Sequence, residues 1–202
     1  MTVRIRKSAD QRKAEIVDAA IRLAGEIGPD RLTTEMLAKE VGISQPGIFR
    51  HFPTKGDIWQ AVAQRIGDML QAKVKLNDGE VPDPINQLRR SVVSHLGFIK
   101  TNPAIPAILF SRELHAENEK MRAFFAGLMA GRHQGLSTLI AAEITARRFD
   151  PALDPDDAAY LILALIQGLA MRWSLGARNF DLVAEGRRLL DLQLNGFKSK
   201  GD

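Results

Sequence analysis

The strongest constraint in this sequence is where a helix cannot continue. Glycine and proline interrupt it at Gly28-Pro29, Gly42, Pro53, the 77–84 stretch, Asn102-Pro103, Asp150-Pro151 and Gly176, leaving pieces of helical length between the breaks. Within those pieces the apolar residues recur at three and four. Ile16, Ala19, Ala20, Leu23, Ala24 and Ile27 make one stripe on a helix over about 11–27. No segment alternates as a half-buried strand does, so the chain is expected to be all-α. Further helices are expected over about 55–76, 84–101, 104–115, 117–148, 155–175 and 181–197, with two short ones between 33 and 52. The concentration of Asp, Gly and Pro in 77–84 makes that stretch a break between an N-terminal and a C-terminal part. The preceding helix would belong to both halves as a connecting rod, so the division is set at 1–55 and 56–202.

Composition narrows the classes. The chain has 202 residues and no cysteine, which excludes disulfide scaffolds, cysteine-ligated zinc or iron–sulfur sites and thiol nucleophiles, and makes the cytoplasm the expected compartment. The longest apolar stretch, 158–171, holds 14 residues and is interrupted by Gln167 and Gly168. That is short for a bilayer span and fits a buried core helix, so no membrane partner is expected. Arg4, Arg6, Lys7, Arg12 and Lys13 precede any long apolar run, and no signal peptide is expected. The charge is uneven: residues 1–56 carry 10 basic against 7 acidic side chains, and the remainder 18 against 17. An anionic partner at the N-terminal end is one reading of this bias and a solvated surface the other.

Residues 33–52 read TTEMLAKEVGISQPGIFRHF, a short helix, a turn at Gly42 and a second short helix, which is helix-turn-helix spacing. Leu37, Ala38 and Val41 face inward on the first helix, Ile43 plugs the junction, and Ile48 and Phe52 anchor the second. Ser44 caps the second helix, and Pro46 is tolerated in its first turn, where no amide hydrogen bond is lost. Gln45 then stands at the tip, where its amide suits an adenine edge. Arg50 reaches guanine or phosphate, and Thr33, Thr34, His51 and Lys55 suit phosphates. A plain three-helix packing unit would use the same inward residues but has no purpose for the outward polar set. Arg4, Arg6 and Lys7 form a basic arm suited to a minor groove or, alternatively, a solvated tail.

The run LTTEMLAKEVGISQPGIFRHFPTKGDIW, within about 11–60, resembles the DNA-binding region of the TetR family of bacterial regulators. The likeness rests on the Thr-Thr entry, the Leu-Ala pair, Gly42, the Gln-Pro pair, the aromatic Phe49, His51-Phe52 and Lys55. It implies a three-helix N-terminal domain, an all-helical C-terminal half that binds a small effector and forms a homodimer, and Thr34, Ser44, Gln45, Gly47, Phe49, Arg50, His51 and Lys55 as DNA contacts. Three positions depart from the family pattern. Phe49 stands for the usual Tyr and has no hydroxyl for phosphate. Glu35 stands where some members carry a guanine-reading Arg. Gly47 replaces a small side chain, so the operator sequence does not transfer.

In the C-terminal half the 155–175 piece is apolar almost all round, which asks for a second packing partner beyond its own core. With the stripe of 181–197 it is expected to form a four-helix dimer interface through Ile162, Leu165, Ile166, Leu169, Leu182, Leu189, Leu190 and Leu194. A single thick core is the alternative. An apolar effector pocket is expected among Leu96, Ile99, Leu109, Phe110, Phe124, Leu128, Met129, Gln167, Met171 and Trp173, each of which also reads as ordinary core. Gly127, Gly131 and Gly135 share one bare helix face, for which close packing is the favoured reading and a kink the other. Asp154 with Pro155, Asp156 and Asp157 reads as a helix start. His95, His115 and His133 fall on three separate helices, so they could share a metal only if the fold gathered them. No phosphate loop, zinc helix or nucleophile elbow is present, and no cofactor or metal is expected.

The whole reads as a homodimeric regulator that binds a palindromic double-stranded DNA operator and is released by a small apolar or aromatic effector, most often as a repressor. A ligand-independent DNA-binding regulator is one alternative. A helical enzyme or scaffold with a vestigial motif is the other.

Overall fold

The computed structural model describes residues 8–77 and 83–199. The basic arm Arg4, Arg6 and Lys7 and residues 78–82 of the expected break lie outside the described residues. The described chain is all-helical: α1 (Ala9–Ile27), α2 (Thr34–Val41), α3 (Gln45–Phe49), α4 (Lys55–Asn77), α5 (Pro84–Thr101), α6 (Ala104–Leu109), α7 (Arg112–Glu117), α8 (Glu119–Thr145), α9 (Pro155–Leu175) and α10 (Leu182–Gly196). One compact unit takes the chain up to Gly67 together with Ala107–Phe125. The other takes Asp68–Pro106 and the chain from Ala126 onward.

In the first unit, α1 opens on a reciprocal cap. The Ser8 hydroxyl accepts from the Gln11 amide, and the Gln11 side chain accepts from the Ser8 amide. The helix buries Ile16, Val17, Ala19, Ala20 and Ala24, with Leu23 and Ile27 half-buried. It ends at Gly28, whose φ of 88° suits a residue without Cβ. α4 begins on a second local cap, in which Thr54 Oγ1 accepts from the Asp57 amide at 3.1 Å and Asp57 accepts from the Thr54 amide at 2.9 Å.

Two expected helices have different bounds. The 104–115 piece is two helices, because Ser111 caps α7 by accepting from the Leu114 amide at 3.1 Å and donates its own hydrogen to Asp30 at 2.5 Å. A serine held in that way gives the backbone an alternative to continuing the helix. The 117–148 piece starts two residues later, after Asn118 donates to the Leu114 carbonyl, and ends at Thr145. Beyond that end, Arg147 takes a positive φ of 57°.

In the second unit α10 packs on α5 and α9, and α5 packs on α9. The start of α9 is as its sequence implies: Asp154 accepts from the amides of Asp156 and Asp157, with Pro155 in the first turn. By length and composition α9 is apolar enough to cross a membrane, but Ala158, Ile162, Leu163, Ile166, Leu169 and Trp173 are buried among Leu88, Val92, Leu96, Leu136, Ile140, Leu182, Leu190 and Leu194. At Gly186, α10 has no room for a side chain. A Cβ there would lie 2.0 Å from Leu96 Cδ1 and 3.6 Å from Leu169 Cδ1. The glycines at 127, 131 and 135 lie on a face that the protomer leaves open. α8 is continuous, and a Cβ at any of the three meets nothing within 4 Å, so within the protomer no helix packs closely there.

The inward stripe of α8 carries two charged residues. Glu143 is fully buried, and Arg148 answers it with two hydrogen bonds of 2.6 and 2.7 Å. Among the described residues Arg132 is answered by neutral groups of α5: Ser91 Oγ at 3.4 Å and His95 Nδ1 at 3.2 Å. Burial, and then the Arg132 charge, push the His95 pKa down to about 3.

Two predictions follow from this packing. Gly186→Ala is expected to cost roughly 1–3 kcal/mol of unfolding free energy in a denaturant titration, because Leu96 is buried and has nowhere to move. Gly131→Ala is expected to gain up to about 1 kcal/mol by the same measurement. For His95, the unfolded chain takes up the proton below about pH 6.5 and the folded chain only near pH 3, so stability is lost as pH falls through that window. The slope from this group approaches about 1.4 kcal/mol per pH unit. His95→Gln should flatten that part of the stability profile.

Candidate nucleic-acid interface

The candidate surface is built on α2 and α3. Leu37 and Ala38 bury the inner side of α2, and Ile48 does the same for α3 and is fully enclosed. Val41 and Ile43 are half-buried at the junction. Between the helices Gly42 adopts left-handed backbone with φ 70° and ψ 41°. Its amide donates to Lys39 O at 3.3 Å and the Ile43 amide donates to Ala38 O at 3.0 Å, which satisfies the end of α2. Ser44 Oγ accepts from the Gly47 amide at 3.3 Å and caps α3.

α3 is shorter than the sequence pattern suggests. Regular helix stops at Phe49, and the His51 amide then turns back to Ile48 O at 2.9 Å. Phe52 is buried, with the Lys13 ammonium 5.9 Å from its ring centre.

The structure places the expected DNA contacts as follows. Thr33, Ser44, Pro46, Phe49 and Arg50 are exposed, while Thr34, Gln45, Gly47, His51 and Lys55 are half-buried. Thr33 caps α2 by accepting from the Met36 amide at 3.2 Å. Arg50 and Lys55 have no carboxylate partner among the described residues, whereas Arg22 is held by Glu40 at 2.6 Å. Glu35 is exposed in the first turn of α2. A Cβ at Gly47 would come 3.3 Å from Ser44 Oγ, so the bare backbone there sits tight against the cap.

One feature lay beyond sequence reasoning. The Gln45 side-chain amide donates to Thr34 Oγ1 at 2.8 Å and clasps the tip of α3 to the start of α2. Gln45 keeps its carbonyl oxygen and one N–H for another partner, the pair that matches an adenine edge. The two residues are separated by 11 positions on different helices, so no spacing rule points to the contact. Arg12 is a second such tie, donating from α1 to the Val41 carbonyl at 3.2 Å and to Glu15 at 2.9 Å.

The expected effector residues fall in both units. Leu96, Ile99 and Trp173 are buried in the second unit, with Trp173 Nε1 donating to Phe180 O at 3.1 Å. Leu128, Met129 and Met171 are half-buried there, and Gln167 is exposed. Leu109, Phe110 and Phe124 are half-buried residues of the first unit, where the Phe124 ring covers Gly67 so closely that a Cβ would lie 2.7 Å from it.

Of the expected interface set, Ile162, Ile166, Leu169, Leu182, Leu190 and Leu194 are used by the protomer's own core. Only Leu165 and Leu189 are partly open. The reason is that α5 and α10 both pack on α9 and take up more of its apolar circumference than one core face. What stays outside is Tyr160, Leu161 and Leu175 on α9 and Leu192 on α10, each more than half exposed.

The histidines take separate partners: His95 lies beside Arg132, His115 bonds the Leu109 carbonyl, and His133 stacks on Tyr160. Among the described residues no three His, Asp or Glu side chains gather as metal ligands.

Comparison with known proteins agrees with this geometry. Residues 16–62 match the model of the bacterial regulatory proteins of the tetR family. The nucleoid occlusion factor SlmA of Vibrio cholerae is 34% identical over 112 residues, 55% of this chain and 57% of that protein, so the match spans little more than half of the relative. Among solved structures, a TetR-family regulator from Rhodococcus has a TM-score of 0.78 at 20% identity and covers 94% of this chain and 100% of its own. The regulator FadR of Bacillus subtilis, solved with stearoyl-CoA, has a TM-score of 0.74 at 21% identity over 91% of this chain and 98% of its own. With a left-handed turn at Gly42, an outward polar second helix and a family match over the same residues, residues 16–62 form a helix-turn-helix region of the tetR type found in bacterial regulatory proteins.

Proposed function

We propose that this regulator acts as a homodimeric repressor, released from a palindromic operator by a small apolar effector. The observation that carries the DNA-binding half of the reading is the clasp between Gln45 and Thr34, which orients an amide at the tip of an otherwise exposed helix. Gln45 reads a base, Arg50 a base or phosphate, and Phe49 a sugar or thymine methyl. Thr33, Ser44, His51, Lys55 and the backbone at Pro46 and Gly47 hold phosphates. We assign DNA binding to residues 1–55, effector binding and dimerisation to 56–202, and the cytoplasm as the compartment. The dimer face is assigned to the exposed side of α9 and α10, Leu161, Leu165, Leu175, Leu189 and Leu192, because these are apolar side chains that the protomer leaves open. The apolar balance of the second unit supports an apolar effector, and the same fold in the Bacillus subtilis protein holds an acyl-CoA.

Similarity to nucleoid occlusion factors supports a second reading, in which the chain binds DNA to serve nucleoid occlusion instead of one promoter. Mapping bound sites across the chromosome separates the two. A few promoter-proximal palindromes support the repressor, and sites scattered widely over the nucleoid support the occlusion role.

Binding to duplexes of varied sequence and salt tests the contacts. Gln45→Ala should relax discrimination at one base position by about 1–3 kcal/mol, and Thr34→Val should produce a smaller loss at that same position. Lys55→Ala should weaken all duplexes alike and lower the salt slope by about one phosphate contact. Equal losses on specific and random DNA for Gln45→Ala would remove it from base reading. Leu161→Glu should yield a folded monomer that no longer protects two half-sites about one DNA turn apart in a footprint.

A further inference from the structure

Arg132 is out of place on its own helix. It shares the inward side of α8 with Leu128, Leu136 and Ile140, of which Leu136 and Ile140 are almost wholly buried. A charge in such a position usually has an opposite charge against it, as the buried Glu143 near the end of the same helix has Arg148 from just beyond it. Among the described residues Arg132 has none. Its only acceptors are a serine hydroxyl and a neutral imidazole, and its Nε–H is buried with no partner. The imidazole adds no compensation, because burial beside the guanidinium keeps His95 uncharged. A half-buried cation with no carboxylate partner among the described residues and an unanswered buried donor therefore coincide in one side chain. Both deficits are removed by a single negative group lying against Nε, whose N–H a carboxylate oxygen accepts while Nη2 stays on Ser91 and His95.

We infer that Arg132, with Ser91 and His95, is the anion-binding point of the effector site, and that the effector is an apolar molecule bearing one carboxylate. This rests on the reading of the second unit as effector-binding and makes it more specific. One uncompensated positive charge matches one negative charge, and a dianionic phosphate monoester would leave a net charge buried. The flanking Leu128 and Met129, both half-buried, suit the apolar remainder. Ser91 and His95 lie one turn apart on α5 and act as positioning residues, holding the guanidinium through Nη2.

The test is calorimetric titration of the full chain with decanoate and with decan-1-ol, which share a chain and differ in charge. The native chain is expected to bind decanoate about ten-fold or more tighter than the alcohol, the advantage expected of a hydrogen-bonded charge. Arg132→Met should erase the difference while keeping alcohol binding, and Arg132→Lys should keep part of it. A purely structural Arg132 would change thermal stability and leave the ratio untouched. Equal affinity of the native chain for both probes, or a carboxylate preference surviving in Arg132→Met, overturns the proposal. If Arg132→Met does not fold, the ratio on the native chain decides alone. Alcohol binding without carboxylate preference overturns the anion point and leaves the apolar effector standing, whereas binding of neither probe counts against both.

Discussion

The left-handed residue between α2 and α3 is the constraint on which the DNA-binding surface depends. Gly42 has φ 70°, yet a side chain built there would meet nothing within 4 Å. Glycine is favoured by backbone sterics alone, and most residues with a Cβ would carry a strain of about 1–2 kcal/mol there. That turn ends α2, sends the chain back at an angle and lets Ile48 fill the junction with no exposed surface. Once Ile48 is inward, helical spacing puts Phe49 and Arg50 outward. The outward set follows from one glycine and one buried isoleucine.

Burial in the second unit rests on a different glycine. Gly186 carries no left-handed backbone and is needed for space, since Leu96 occupies the volume a Cβ would take. The distinction explains why sequence reasoning found one and missed the other. A glycine at the end of an apolar run has a local signature, the helix stop. A glycine inside α10 differs from alanine only through a residue on α5, and no local pattern encodes that. Local spacing is equally silent on Gly127, Gly131 and Gly135, whose regular spacing puts them on one face and whose surroundings in the protomer are open.

What could be read from the chain was what neighbouring residues decide. Helix breaks at proline and glycine, the Asp154 and Ser44 caps and the apolar stripe of α1 all depend on contacts within a few positions. The division of 104–115 into two helices depends on Ser111 reaching Asp30, 81 positions away. Most of the expected interface set is taken into the protomer core for a related reason. Periodicity identifies apolar faces, and it does not say whether a protomer has enough neighbours to cover them. α9 has two such neighbours, so most of its apolar residues are core and a few large ones remain outside.

On the proposed assignment, affinity and reading fall to different residues of the candidate interface, and the clasp at Gln45 bears on only one of them. A free glutamine gives up about 1.5–2 kcal/mol of rotamer freedom when it is fixed on a base. With its amide already bonded to Thr34, part of that ordering is complete before DNA arrives, so less is deducted from discrimination. Phosphate attraction gains nothing from the clasp. It depends on Arg50 and Lys55, and it is opposed by the exposed carboxylate of Glu35 in the first turn of α2. A surface with an oriented reader and a partly opposed cationic rim favours selectivity over tight binding to any duplex.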